Sequence, residues 1–211
     1  MMNTSDLFEK EINYIKNEHI KNMVVQTLNA APKCLQTIPA SSSGKYHPEY
    51  GLGEGGLVRH IKAAIGIAHS LVRTNILNAL PYNLQNIDVD YYEDIIYAAL
   101  ILHDCCKADD TPQHQTLFEH PVIAANLFLK IATDYLNDNT DFEDIEIIKR
   151  CIFRISDAIS CHMGRWNTSK YSDKVLPVPH DSISWFVHLC DYLASRKFLD
   201  FDFEKYYESE V

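Results

Sequence analysis

Hydrophobic residues recur at helical spacing along most of the chain and predict an all-α protein. Apolar stripes with a period near 3.6 residues lie within residues 5–30, 57–80, 122–136, 145–159 and 182–199. No segment shows a notable strand-like alternation, and no internal repeat is present. We expect a single helical domain over residues 1–211, with a bundle core at about residues 50–200 and the N-terminal helix 5–30 packed on it.

Two polar segments predict where helices begin. Thr140-Asp141-Phe142-Glu143 has the spacing of a capping box, and Asp181 is a suitable N-cap for the last helix. Between the first two predicted helices, residues 39–56 are rich in Gly, Ser and Pro. Such a loop is either a flexible connector or an ordered wall of a site, and solvent exposure is the simpler interpretation for His47 within it.

One apolar segment lacks a polar face. Residues 95–102 are hydrophobic on all sides of a helix, which is typical of a helix buried on most sides. The segment ends at His103-Asp104, followed by Cys105-Cys106-Lys107. A buried carboxylate needs a partner, and a metal ion suits both an imidazole nitrogen and a carboxylate oxygen. A helix end that meets solvent explains the dipeptide equally well.

Further metal-capable residues lie at predicted helix ends or on apolar faces. His60 borders an apolar face, His120 opens a helix and His162 lies near a helix end. Asp191 follows Val187 by four residues on an apolar stripe, where a carboxylate is unusual. Each alone has an ordinary structural explanation. Together with His103 and Asp104 they suit two divalent first-row metals, and Asp104 can give one oxygen to each.

Charge and composition narrow the classes of partner. The net charge of -10 argues against a surface that tracks duplex nucleic acid, although a small basic pocket remains possible. No apolar run has membrane-spanning length, and the N-terminus lacks a secretory pattern. The six cysteines show no spacing typical of zinc sites or disulfide frameworks. We expect a cytoplasmic protein with reduced thiols and no membrane partner, while the oligomeric state stays open.

The residue order His…His-Asp…His…His…Asp resembles that of the HD-domain superfamily of metal-dependent phosphohydrolases. The local contexts that agree are residues 55–60, 102–107, 119–121, 160–164 and 188–194. The resemblance covers about residues 50–200 and implies an HD-domain helical bundle. It implies a four-ligand core of His60, His103, Asp104 and Asp191, with His120 and His162 as the added ligands of two-metal members. Some members carry a further histidine where this chain has Cys161, which we do not count as a ligand.

The resemblance also implies a mechanism and site residues. A metal-bound hydroxide would attack phosphorus, with two divalent first-row ions such as Mn²⁺ or Fe²⁺, or Mg²⁺, as cofactors. Asp104 would be catalytic as the bridging ligand. Lys107 is similar to a lysine near the His-Asp pair of many members and would be catalytic too, by contacting the phosphate or stabilising the leaving oxygen; a surface lysine is the alternative. The candidates for substrate binding are Arg165, Arg196 and Lys197 for phosphate, and Trp166 or Tyr46 for stacking on a base.

The leading hypothesis is a phosphodiesterase or phosphomonoesterase acting on a nucleotide, a cyclic nucleotide or a short oligonucleotide. A 3′–5′ exonuclease on single strands is a variant, weakened because no appended nucleic-acid-binding domain is visible. A di-iron oxygenase on the same scaffold is an alternative, since a few HD-fold proteins with a similar six-ligand pattern use two iron ions to activate oxygen. A regulatory, non-catalytic module is the third possibility, and the full ligand set argues against it.

Overall fold

The computed structural model describes residues 3–41, 44–74, 76, 91–111, 116–140 and 142–198. Within them lie α1 (Glu9–Ile12), α2 (Glu18–Ala30), α3 (Gly56–Val72), α4 (Tyr92–Leu102), α5 (His120–Asp138), α6 (Ile145–Ser160) and α7 (Ser182–Ala194). Short 3-10 turns occur at Thr4–Phe8, Lys33–Gln36, Glu49–Gly51 and Gly164–Trp166. The prediction of an all-α fold is confirmed.

Helix α4 forms the centre of this bundle. All of its residues from Asp94 to Leu102 are buried, and it packs against α1, α2, α3, α6 and α7. A helix that is apolar on every side buries the most surface when other helices surround it. The prediction of a buried helix is therefore correct, and its C-terminal end delivers His103 and Asp104 into the interior.

The N-terminal segment is interrupted, so the prediction of one helix over residues 5–30 is wrong. α1 ends at Ile12 and α2 begins at Glu18. Between them, the backbone N–H groups of Lys16 and Asn17 each donate to the Asp94 carboxylate at 2.8 Å. Burial raises the pKa of Asp94, and these two donors stabilise its charged form. The break in the helix thus supplies hydrogen bonds to a buried carboxylate of α4.

The other helix boundaries differ less from their predicted positions. The α6 helix begins at Ile145 with Asp144 as its N-cap, and the Asp144 side chain makes no capping bond to the helix, so the capping box predicted at residues 140–143 is wrong. The N-cap at Asp181 is confirmed, because its carboxylate accepts from Ser184 N at 2.8 Å. α3 and α7 end at Val72 and Ala194. Their predicted ends, Leu80 and Leu199, lie outside the described residues.

A small antiparallel hairpin, β1 (Thr168–Ser169) with β2 (Ser172–Val175), follows the turn after α6 and was not predicted. Its strands are too short to show an alternating pattern in the sequence. Of the helices described, none combines the length and apolar character that crossing a membrane requires.

Candidate metal centre

The six predicted ligands converge at the C-terminal end of α4. Ligand atoms lie within 4.8 Å of one another in each of three sets: His60–His103–Asp104, His103–His162–Asp191 and Asp104–His120–His162. Five of the six residues are buried, and the Asp191 side chain is 18% exposed. Three helices (α3, α5 and α7) and the turns that follow α4 and α6 thus bring the six side chains together.

Asp104 lies between two groups of imidazoles. Its Oδ2 is 3.7 Å from His60 Nε2 and 3.5 Å from His103 Nε2. Its Oδ1 is 2.9 Å from His120 Nε2 and 3.6 Å from His162 Nε2. Each oxygen therefore faces a different pair of histidines, as the sequence predicted for a bridging carboxylate.

Asp191 lies within 4 Å of the first of these histidine pairs. Its Oδ1 is 3.0 Å from His60 Nε2 and 3.6 Å from His103 Nε2. We call His60, His103 and Asp191, with Asp104 Oδ2, the first lobe. His120 and His162, with Asp104 Oδ1, form the second lobe. The centre thus divides into two adjacent donor sets that share one carboxylate.

Three of the histidines are oriented by the same local hydrogen bond. In each, Nδ1–H donates to the backbone carbonyl three residues earlier. The pairs are His103 with Leu100 at 2.7 Å, His120 with Leu117 at 2.6 Å and His162 with Ile159 at 2.8 Å. A carbonyl oxygen only accepts, so the proton resides on Nδ1 and the Nε2 lone pair faces Asp104. This is the tautomer and orientation that ligation through Nε2 requires.

The donor atoms fit a divalent cation. His103 Nε2, His120 Nε2 and Asp104 Oδ1 are buried and have no hydrogen-bond partner in the part of the chain that the structure describes. Buried polar atoms without partners cost about 1–3 kcal/mol each, and native proteins rarely keep several together. Imidazole and carboxylate donors suit Mn²⁺, Fe²⁺ and Zn²⁺. The cluster therefore has the chemistry of a metal centre.

The charges of the site keep its carboxylates ionised. Burial favours neutral Asp104, but the positive charge of Lys107, together with the surrounding imidazoles, holds its pKa well below the usual value. Burial likewise opposes ionisation of Asp191, and His103 and His60 keep its pKa well below the usual value. Burial lowers the pKa of His120. Charged carboxylates and a neutral imidazole are the forms that bind metals.

Lys107 lies at the edge of the first lobe. Its Nζ is 2.5 Å from Asp104 Oδ2, and its side chain is 15% exposed. The predicted lysine is thus in direct contact with a proposed ligand while still reaching solvent. An ammonium there is positioned to meet an anionic group that approaches the centre.

His47 is a site residue that the sequence analysis missed. Its ring centroid is 5.3 Å from that of His60, and its Nδ1 is buried without a hydrogen-bond partner among the described residues. Burial, followed by the positive charges of His60 and Lys107, lowers the pKa of His47 to about 4. Solvent exposure, the simpler interpretation, is wrong for this residue. It adds a neutral imidazole to the wall of the first lobe.

The loop that carries His47 is held in place by Arg59. The guanidinium donates from Nε to Tyr50 O at 2.6 Å, and from Nη2 to Leu52 O and Glu54 O at 2.9 Å each. Of the two alternatives for residues 39–56, the ordered wall is correct for the part described. The only signal in the sequence is an arginine directly before His60, which does not reveal its targets.

Four of the five predicted substrate-binding residues lie together, around a residue that was not predicted. Arg196 Cζ is 4.4 Å from the ring centroid of Tyr192, 5.5 Å from that of Trp166 and 5.6 Å from that of Tyr46. Arg165 Cζ is 4.8 Å from the Trp166 centroid. Lys197 is exposed and stands outside this group. The overlooked Tyr192 follows Asp191 directly, so this aromatic group adjoins the metal centre.

Cys161 is turned away from the proposed ligands. Its Sγ donates to Asp157 O at 3.0 Å, and burial raises its pKa to about 12. A protonated thiol bonded to a carbonyl is a poor metal ligand, which supports leaving it out of the ligand set.

Comparisons of this chain with models of protein families, with curated proteins and with solved structures find no match.

Proposed function

We propose that this protein is a metal-dependent phosphohydrolase of the HD-domain type, with two divalent first-row ions in the two lobes. The observation that supports the proposal is the position of Asp104, whose two oxygens face different histidine pairs. The first lobe offers two imidazoles and two carboxylates, and the second offers two imidazoles and the shared carboxylate. A pair of bound ions supplies an activated water and neutralises charge on phosphate oxygens.

The chain's own residues prepare this chemistry. The Nδ1 bonds to backbone carbonyls hold three imidazoles with Nε2 facing inward. Lys107 keeps Asp104 ionised, and its ammonium is placed to pair with a phosphate oxygen or with the leaving oxygen. The buried surroundings of Asp104 exclude bulk water and strengthen these interactions.

A small anionic substrate suits the surroundings of the centre. Arg165 and Arg196 place two guanidinium groups among aromatic rings next to Asp191. Guanidinium groups bind phosphate, and a net charge of -10 disfavours a long duplex. We infer a nucleotide or short oligonucleotide as substrate and a cytoplasmic site of action.

The decisive experiment compares phosphate-ester hydrolysis with oxygen chemistry, because the same six donors suit a di-iron oxygenase. Purified protein is stripped of metal, reloaded with Mn²⁺ and assayed under strict anaerobiosis. The substrates are AMP, a cyclic mononucleotide, bis(p-nitrophenyl) phosphate and short single-stranded RNA. We expect hydrolysis of at least one ester without oxygen.

Two histidine variants make the result specific. His103→Ala removes a first-lobe ligand and should abolish hydrolysis, whereas His180→Ala, at an exposed histidine, should leave the rate unchanged. Turnover that requires iron and oxygen, with the Mn²⁺ protein inactive on every ester, would overturn the proposal in favour of the oxygenase.

A further inference from the structure

A cavity of about 560 Å³ is lined by residues of α7 and of the turn after α6. Its lining includes Arg165, Trp166, Trp185, His188 and Tyr192. This volume is typical of sites for small molecules, and such sites are largely apolar with a few polar groups. The cavity is therefore large enough for one flat heterocycle with part of a sugar.

The cavity and the metal centre share two structural elements. Helix α7 carries Asp191 between His188 and Tyr192, and the turn after α6 carries His162 shortly before Arg165 and Trp166. In addition, His188 Nδ1–H donates to the carbonyl oxygen of His162 at 2.6 Å. A ligand in the cavity would thus sit against the same backbone that positions two proposed metal ligands.

Flat aromatic side chains form the walls. The rings of Trp166 and Tyr192 are nearly parallel, with centroids 5.4 Å apart and an interplanar angle of 18°. The His188 ring lies between the two tryptophans, 5.9 Å from Trp166 and 5.7 Å from Trp185. Trp166 and Trp185 remain 39% and 40% exposed. Large aromatic faces left open beside a cavity are typical of stacking sites for bases.

Cations accompany the aromatic walls. Arg165 Cζ lies 4.8 Å from the Trp166 centroid and 5.8 Å from that of Tyr192. A purely apolar ligand gains nothing from a guanidinium group, whereas a nucleotide combines a flat ring with an anionic phosphate. The His188 ring adds a polar edge, since a neutral ring that donates from Nδ1 offers Nε2 as an acceptor.

We propose that this cavity binds the nucleobase of the substrate, whose phosphate lies at the metal centre. The inference rests on the proposed function and narrows it to nucleotides with an unpaired, accessible base. A base in a duplex is stacked and paired, so it cannot stack on the aromatic walls of this cavity without leaving the helix.

Intrinsic fluorescence tests base binding separately from hydrolysis. The chain has two tryptophans, and both line the cavity. Metal-loaded protein is titrated with adenosine and, in parallel, with ribose; neither is a phosphate ester. We expect saturable quenching by adenosine and a Kd at least roughly tenfold lower than that for ribose, as stacking on one base implies.

Three variants test whether adenosine binds in this cavity. Trp185→Ala should raise the adenosine Kd about tenfold, with Trp166 as the remaining reporter, and should leave metal content unchanged. Trp185→Phe keeps a flat ring and should restore most of the affinity, which a folding defect would not allow. Phe153→Ala removes an aromatic side chain that is 67% exposed on α6 and should change nothing.

Kinetics then separates the two proposals. AMP should be hydrolysed with a lower KM than ribose 5-phosphate, and Trp185→Ala should remove that difference. Equal kcat/KM for both esters, with no binding of adenosine, would overturn the base site and leave the phosphohydrolase intact. Adenosine binding that depends on Trp185, without hydrolysis of any ester, would support the base site and overturn only the phosphohydrolase.

Discussion

Asp104 is the residue on which the candidate centre depends, because its two oxygens face separate imidazole pairs. The Oδ1 contact with His120 at 2.9 Å and the Oδ2 contact with Lys107 at 2.5 Å leave little freedom for the side chain. A carboxylate that is buried and held ionised by its neighbours is costly unless a cation balances it. Its role is therefore best tested by removing its charge while keeping its shape.

Asp104→Asn should lower metal content to one ion per chain or fewer and reduce hydrolysis by orders of magnitude. The amide retains the volume of the side chain but loses the negative charge that both lobes share. Elemental analysis and the rate of ester hydrolysis measure the two effects. Asp134→Asn, at an exposed position on α5, is the matched control. Full activity and two ions in Asp104→Asn would disprove the bridging role.

Lys107→Met should lower kcat while both ions stay bound. The change removes an ammonium that lies 2.5 Å from Asp104 but no metal ligand. Because Lys107 holds the pKa of Asp104 down, its loss raises that pKa, and the acid limb of the pH–rate profile should move to higher pH. Lys149→Met, at an exposed pair with Glu146, is the control. Metal loss in Lys107→Met would instead assign the lysine to holding the centre together.

At the scale of elements, the turn after α6 connects the metal centre with the adjoining cavity. Gly164 has a φ of +57°, and a Cβ at this position would lie 2.3 Å from His188 Cε1. The close approach lets His188 donate to the carbonyl of His162. A glycine shortly after a helix is a common stop signal in a sequence, but the contact of Gly164 with α7 is visible only in the folded chain.

Gly164→Ala should destabilise the protein more than a left-handed backbone alone explains. Strain at a positive φ costs about 1–3 kcal/mol, and displacement of His188 adds to it. Gly53→Ala is a close control, because Gly53 has a φ of +67° and nothing within 4 Å of its added Cβ. Urea denaturation of both variants gives the difference in free energy of unfolding. Equal losses in the two would mean that the contact with His188 contributes nothing.

The break between α1 and α2 is a second feature that the apolar pattern does not reveal. The pattern continues through residues 13–17, but the backbone leaves the helix to bond Asp94. Asp94→Ala should lower the free energy of unfolding by about 2–4 kcal/mol, because two N–H groups lose their acceptor. Thermal or urea denaturation measures this loss, and Asp134→Ala is the exposed control. An effect below that of the control would show that water replaces the carboxylate at no cost.

For the whole molecule, the sequence predicted what depends on local pattern and missed what depends on distant contacts. Helix α4 and the six converging residues follow from an all-round apolar run and from ligand types at helix ends. His47 and the aromatic cavity were not predicted, because each forms only when separate elements meet. The hydrogen bonds of Arg59 to the loop, and the stacking of Trp166 on Tyr192, have no periodic signature.

Metal binding and folding should be coupled across the whole bundle, since the proposed ligands come from three helices and from the turns that follow two others. Without an ion, buried ligand atoms such as His103 Nε2 and Asp104 Oδ1 lack hydrogen-bond partners among the described residues. An ion that binds only the folded state at 100 times its Kd adds about 2.7 kcal/mol of stability. Removing metal with a chelator should therefore lower Tm by several degrees, and Mn²⁺ should restore it.

The same measurement on a ligand variant separates specific from general effects of the ion. His103→Ala lacks a first-lobe ligand, so its Tm should respond more weakly to chelation and to Mn²⁺ than that of the unaltered protein. His180→Ala, whose histidine is exposed, should keep the full response. A Tm that is identical with and without metal in all three proteins would mean that the cluster is a set of hydrogen-bonded core residues. In that case water would have to form hydrogen bonds with the buried ligand atoms, and the proposal of a metal-dependent reaction would be wrong.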